Sequence, residues 1–251
     1  MQRQIALTLC SDSKDISYRK SSNLQGVLME QIDPVYAAVL HQQVLHPYSQ
    51  YLICRENQIT WYVNALNDEA YEKIILPLLS PDFTSFTFSN GVSVTITEKK
   101  QKTQTDQERM DLFTGTETTG RFEIHFLSPT AFKQNGRYFL LPEPRLIFQS
   151  LMNRYSAVDE LSSMTDEDTL EQLTMSSVIR RYQLRTVSFP LEGTAVPGFI
   201  GSISLQIKGN QTMARYVRLL LQFGEFSGIG IKTGMGMGGI QFREGAGKKH
   251  E

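Results

Sequence analysis

Residues 226–240 read FSGIGIKTGMGMGGI and place glycines at 228, 230, 234, 236, 238 and 239. A helical pattern over residues 211–223 precedes the stretch, and a short strand pattern at 239–243 follows it. Helix, then glycines, then strand is the reverse of a P-loop or dinucleotide fingerprint, where the glycines open a helix. Lys232-Thr233 lies inside the loop and opens no helix, so a mononucleotide site of that kind is excluded. Glycine alone permits both positive φ and unobstructed backbone approach. The loop therefore either packs tightly on the protein's own core or comes close to a polyanion.

Working outward, residues 178–189 and 198–208 read as strands, residues 121–127 as another, and residues 144–155 (PRLIFQSLMNRY) as a helix. Residues 156–176 are acidic, hold no Lys or Arg, and read as a solvated loop with a short helix. The second half thus runs βαββαβ. The first half opens with the alternation RQIALTL at residues 3–9. A helix carrying Leu24, Leu28 and Ile32 follows, and Asp33-Pro34 restarts it as N-cap and first-turn proline. Val35, Ala38 and Val39 are expected to continue the apolar stripe up to Pro47. Strands at 48–54 and 59–63 precede a helix over 67–79 capped by Asn67 or Asp68. A hairpin then folds around Ser89-Asn90-Gly91, since Asn-Gly favours the two-residue turn. The fold class predicted is α+β, two tandem ferredoxin-like (RRM-like) βαββαβ modules with a C-terminal glycine-rich loop. Element order carries this reading; no internal repeat does. The domains expected are 1–118, 119–245 and a tail 246–251, with the polar residues 99–120 as the connection.

The 251 residues are 40% hydrophobic and 20% charged, ordinary for a globular protein. No apolar run reaches the ~18 residues of a membrane span, and the six residues IALTLC after the N-terminal MQRQ are too few for a signal peptide. Two cysteines, Cys10 and Cys54, make no disulfide framework and point to the reducing cytoplasm. A net charge of -1 argues at face value against nucleic acid. It is, however, unevenly spread. Residues 1–176 hold 15 Lys/Arg against 22 Asp/Glu, and residues 177–251 hold 10 against 4. A C-terminal third this basic fits a phosphate backbone.

Four histidines are present. His250 is in the terminal tail, and His125, in the strand RFEIHFL, reads as packing or facing solvent. His41 and His46 are five apart where Pro47 ends the first helical region. His41 is about 200° from Val39 on a helical wheel and need not be buried with it. An ordinary helix-end histidine and a proton-transfer residue both fit, since histidine titrates near neutrality. No CxxC, HExxH or clustered acidic pair with a partnering histidine occurs, so no metal site and no cofactor are expected. In residues 178–185 (VIRRYQLR), Arg181, Gln183 and Arg185 share one strand face, and Arg180 precedes them. On the last helix Arg215, Arg218 and Gln222 share a face, either solvated or facing RNA. Arg19-Lys20 precedes the first helix and could hold a phosphate.

The spacing Gly228, Gly230, Lys232, Gly236, Gly238 resembles the C-terminal glycine-rich loop of the CRISPR-associated repeat-processing endoribonucleases, members of the RAMP superfamily. FLSPTAF at 126–132 followed by Leu141-Pro142 is similar to that family's second-module opening, and PGFIG at 197–201 to the strand before its last helix. Leu24-Gln25-Gly26, Leu40-His41 and Tyr48-Ser49 resemble its first helix and the turn beyond. The resemblance covers about residues 3–243. It implies metal-independent cleavage of CRISPR repeat RNA by 2′-hydroxyl attack, leaving a 2′,3′-cyclic phosphate. Other effector subunits and a homodimer are compatible partners, and a membrane is not. The family's histidine falls on His41. The positions of a family tyrosine and lysine fall on Met29 and His46, leaving the tyrosine's role vacant or filled by Tyr18, Tyr36 or Tyr48. The expected site is thus catalytic His41 and His46, with Arg19, Lys20, Arg180, Arg181, Arg185, Lys232 and the four spaced glycines binding RNA. The alternative implied is a non-catalytic RNA-binding subunit of the same superfamily.

Overall fold

The computed structural model describes residues 1–13, 16–55, 58–115, 117–158, 165–191 and 193–245. The expected tail, with His250, and residues 159–164 of the acidic stretch lie outside the described residues. β1 (Gln2–Cys10) leads through a 3-10 turn (Tyr18–Lys20) into α1 (Ser21–Gln31) and α2 (Pro34–Gln42). β2 (Tyr48–Arg55) and β3 (Gln58–Ala65) follow. Next come α3 (Asp68–Ala70), a π turn (Tyr71–Ile75), α4 (Leu76–Leu79), β4 (Ser85–Thr87) and β5 (Ser93–Gln104). The strands form an antiparallel sheet in the order β2-β3-β1-β5-β4.

After α5 (Asp106–Gly115) come β6 (Arg121–Thr130), the small hairpin β7 (Phe132–Gln134) and β8 (Arg137–Phe139), α6 (Pro144–Val158) and α7 (Glu167–Ser176). β9 (Ser177–Leu191), β10 (Thr194–Ile207), α8 (Gln211–Ser227) and β11 (Ile240–Glu244) complete the chain. The second sheet is antiparallel in the order β11-β6-β10-β9, the 4-1-3-2 order of a ferredoxin-like unit. The first sheet has the same order with β5 in fourth place and β4 added outside it. Each sheet buries one core: Leu7, Leu24, Leu28 and Trp61 in the first, Phe148, Leu151, Phe199 and Phe223 in the second.

Local chemistry explains most boundaries. Asp33 caps α2 by accepting from the Tyr36 N–H at 3.0 Å, with Pro34 in the first turn, and Asn67 caps α3 through the Ala70 N–H at 2.8 Å. Three expectations are corrected. Val35 and Val39 are 73% and 44% exposed and Ala38 is exposed too; the stripe of α2 that packs inward is Tyr36, Ala37 and Leu40. The cap and proline set that phase, and it turns the large Tyr36 ring into the core. Residues 99–120 are not a plain connection, because β5 continues to Gln104 beside β1 and α5 follows. Backbone pairing holds that stretch, with Lys100, Gln101 and Lys102 exposed and Lys99 turned onto the Leu78 and Ser80 carbonyls, so its composition reads as loop. Arg218 is not on an open face of α8 either. It is buried, bonds the Leu112 carbonyl of α5 and lies 3.7 Å from Glu244 of β11.

The two halves join through a buried polar network. The Gln50 amide on β2 donates to the Ser21 carbonyl at 2.8 Å and to the Gly234 carbonyl at 3.3 Å, and its oxygen accepts from the Trp61 indole at 2.8 Å. Beside it, Gln4 donates to Asn64, Asn64 to the Ser49 hydroxyl, and Ser49 to the Phe226 carbonyl near the end of α8. Leaving such groups unpaired in the interior costs about 1–3 kcal/mol each. Gln50→Ala should therefore lower the unfolding free energy by about 3 kcal/mol. Gln107→Ala, on the exposed face of α5 where Gln107 bonds Asp111, should change it by less than about 0.5 kcal/mol. Urea midpoints of the two variants check this.

Candidate active site

The glycine-rich loop closes on the first sheet. Its 3-10 turn (Thr233–Met235) packs against β2 and α1. A Cβ on Gly236, whose φ is +111°, would lie 2.2 Å from the Ser21 Cβ; one on Gly234 would lie 2.8 Å from His46 Nδ1 and 3.2 Å from the Tyr48 ring. Gly228, Gly230 and Gly238 are held as closely: added Cβ atoms would meet Thr233 at 2.9 Å, the Ala131 carbonyl at 2.3 Å and the Ile229 carbonyl at 2.1 Å. Of the two uses the sequence left open, tight packing accounts for each of these glycines. The loop backbone is further pinned by the Gly238 N–H to the Pro129 carbonyl and the Ile231 N–H to the Ala131 carbonyl, at 2.9 and 3.0 Å. Lys232 is half-buried and left-handed at φ 55°.

This closure sets the two histidines in unlike surroundings. His41 is exposed in the last turn of α2. His46 lies half-buried between the loop and β2, its ring stacked on Tyr48 at 5.3 Å between centroids. Its Nδ1 is buried and has no hydrogen-bond partner among the described residues. Burial holds the His46 pKa below the ordinary 6.5; the Arg154 guanidinium and, more weakly, His41 push the same way, against a backbone hydrogen bond to Gln43. His46 is therefore neutral at pH 7 and able to accept a proton.

The tyrosine question also becomes concrete. Burial pushes the Tyr48 and Tyr36 phenols up to about 12. Tyr48 accepts from the Gln25 amide at 3.3 Å under the His46 ring. Tyr18 packs with a small third cluster around Phe189 and Met237. Met29 sits half-buried against the first core. Of the three tyrosines, Tyr48 is stacked on a candidate histidine.

The cationic residues are placed less uniformly. Arg19 is exposed and Lys20 half-buried in the turn that leads into α1, where Ser21 meets the loop. Arg180, Arg181 and Arg185 are exposed along the edge strand β9. A register shift between Ser204 and Leu205 of its partner leaves Arg180 unmatched across the ladder. Tyr182, on the other face, is 70% exposed, so this stretch presents both faces to solvent. The far end of β9 reaches α1, where Ser22 donates to the Pro190 carbonyl at 3.2 Å. β9 thus ends beside the Arg19-Lys20 turn.

Sequence reasoning passed over Arg154, on α6. Its side chain is buried, and its one hydrogen bond among the described residues is a long 3.4 Å contact to the Gly230 carbonyl. An arginine inside the apolar pattern LIFQSLMNRY was the available signal. His125 is partly exposed and 3.5 Å from Glu123, away from this site. Among the described residues no three or more His, Cys, Asp or Glu side chains gather where they could hold a metal ion.

The loop's packing can be tested directly. Gly91 has φ +83° but open space around a Cβ, so Gly91→Ala should cost about 1–2 kcal/mol, the price of the left-handed backbone. Gly236→Ala adds a collision with Ser21 and should cost at least about 2 kcal/mol more. Chemical denaturation of both variants reads the difference.

The family described as CRISPR-associated endoribonuclease Cas6 matches residues 124–240. A CRISPR-associated endoribonuclease Cas6 of Streptococcus thermophilus is 37% identical over 220 residues, 87% of this chain and 89% of that protein. One from Mycobacterium tuberculosis is 35% identical over 221 residues, 87% of this chain and 70% of that protein. Among solved structures, Thermus thermophilus Cas6 superposes with a TM-score of 0.73 at 21% identity, covering 97% of this chain and 98% of that one. A Cas6 product complex reaches 0.77 at 21% identity, over 97% and 100%. These structures share the fold. At the identities and coverage of the sequence relatives, this chain belongs to the Cas6 family of CRISPR-associated endoribonucleases.

Proposed function

We propose that the protein cuts CRISPR precursor RNA within its repeats, at a site formed where the glycine loop of residues 119–245 closes on the histidines of residues 1–118. The observation that carries this is His46, seated over Gly234, neutral at pH 7 and within electrostatic reach of His41. In the proposed reaction His46 takes the proton of the 2′-hydroxyl, whose oxygen attacks the adjacent phosphorus. The bond from phosphorus to the 5′-oxygen breaks, and His41 supplies the proton that oxygen needs. The products are a 2′,3′-cyclic phosphate and a 5′-hydroxyl, with both protons accounted for and no metal in any step. The lowered pKa of His46 favours this base role over that of a fixed cation opposite the phosphorane. The glycines act by shaping the loop, while Arg19, Lys20, Lys232, Arg180, Arg181 and Arg185 track phosphates and fix register without reading sequence. No helix among the described residues is long and apolar enough to cross a membrane. Cys10 and Cys54 are free thiols, which fits a cytoplasmic enzyme.

Repeat RNA incubated with the protein in EDTA tests the reading. Cleavage is expected for the all-ribose strand and none when the nucleotide 5′ of the cut carries a 2′-deoxy sugar. His41→Ala and His46→Ala should each slow single-turnover cleavage by about 10²–10⁴-fold. Cutting of the deoxy strand, or undiminished cutting by either variant, contradicts the mechanism. Because His46 must be unprotonated to act, kcat/KM should rise with pH through a step below 6.5, and His46→Ala should remove that step. The Arg181→Ala, Arg185→Ala double variant should flatten the plot of log affinity against log salt by about 0.7 per lost phosphate contact.

A further inference from the structure

A small cavity opens between α6 and the loop, roofed by Leu45 of the segment that leads to His46. Its polar wall is Arg154, Asn153, Ser150 and Gln149 from α6 with Lys133 from β7, and no carboxylate lines it. Arg154 forms its innermost charged group. The side chain is 5% exposed, and both Nε and Nη1 are buried without a partner among the described residues. The remaining nitrogen has only the 3.4 Å contact to the Gly230 carbonyl. The Ser150 hydroxyl accepts from the Gly230 N–H at 2.7 Å, so its own proton is free to be donated.

A buried guanidinium with no anion beside it is costly, and an apolar residue of the same length would be more stable. Burial draws its pKa down to about 10, and it stays charged at neutral pH. Nη1 and Nη2 form the outer edge of the guanidinium fork, and with Nη1 unmet and Nη2 held only by the long contact to Gly230, that edge has the geometry to grip two oxygens of one phosphate. The charge is also near enough to His46 to depress its pKa.

We propose that this cavity is a phosphate subsite: Arg154, helped by the Ser150 hydroxyl and the Lys133 ammonium, binds one backbone phosphate of the RNA beside the reacting histidines. The ligand's identity as RNA rests on the reading of the site given above; the phosphate chemistry rests on the cavity. Filling it also offsets the penalty of the buried charge, so binding energy at this subsite is available to hold the strand in register. Arg154 differs from Arg181 and Arg185 in being buried, whereas those two meet phosphates from an exposed edge strand.

The test uses repeat RNA with a 2′-deoxy sugar at the cut, so that it binds uncut, and neutralises one phosphate at a time as a methylphosphonate. Wild type should lose about tenfold in affinity at one particular phosphate near the cut. Arg154→Met should bind the parent RNA about tenfold more weakly and be indifferent to neutralisation at that phosphate alone, while still responding at the others. The Met variant should melt no lower than wild type, because it removes an unpaired buried charge. Should it fail to fold, Arg154→Lys keeps the charge and gives up the fork; its deficit against wild type should vanish at the same single phosphate. Deficits that multiply with neutralisation equally at every phosphate overturn the proposal for either variant. Cleavage of the all-ribose strand by wild type is read separately, so a protein that binds as described without cutting fails the nuclease reading and leaves the subsite standing.

Discussion

The side-chain amide of Gln50 is fully buried and bonds at once to Ser21 at the start of α1, to the glycine loop and to the Trp61 indole in the first core. Three segments far apart in the chain therefore share one set of hydrogen bonds that water cannot replace. The loop can come that close only because Gly234 and Gly236 have no side chain to meet His46, Tyr48 and Ser21. Docking of the second half on the first is thus specified by a pairing of polar groups and by missing Cβ atoms. Apolar burial is mostly within each half, with Tyr18 packed against Phe189 and Met237 and Leu66 joined to the second core across the junction.

That docking gives His46 the surroundings on which the proposed chemistry rests. Without the loop, His46 would be a histidine on the segment between α2 and β2, open to water. With it, one edge of the ring is desolvated against Gly234 and Tyr48, and the Arg154 charge reaches it from the other half of the chain. Both effects favour the neutral imidazole. His41, a turn of chain away, keeps its contact with solvent. Two histidines separated by five positions are thereby put in different surroundings, one desolvated by the loop and one exposed, and the proposed division into base and acid rests on that difference.

Much of the fold was legible in the sequence because its signals are local. The Asp33-Pro34 cap, the Asn67 cap, the turn at Asn90-Gly91 and the alternation of residues 3–9 each carry their own geometry. The glycine spacing marked the loop, but whether it served packing or a ligand depended on Ser21 and His46, over two hundred and nearly two hundred positions away. β5 hid among Lys and Gln residues because residues 99–104 are held by backbone pairing to β1 alone, which asks for no apolar side chains. The phase of α2 was misread because Val35 and Val39 looked more apolar than Tyr36, and the cap decided otherwise. Arg218 read as solvated or facing RNA and Arg154 drew no reading, because their burial depends on α5 and the loop packing over their helices. The net charge of -1 likewise concealed a basic C-terminal third that exposes Arg180, Arg181 and Arg185 on β9.

The account turns on contact between the loop and His46, and Gly234→Ala probes that contact with a single methyl group placed 2.8 Å from Nδ1. The decisive measurement is the single-turnover cleavage rate of this variant on repeat RNA at saturating protein, taken on folded material. The account predicts a rate at least tenfold below wild type with RNA affinity unchanged, because the methyl displaces the imidazole and leaves the phosphate-binding residues where they are. A rate equal to that of wild type would contradict it.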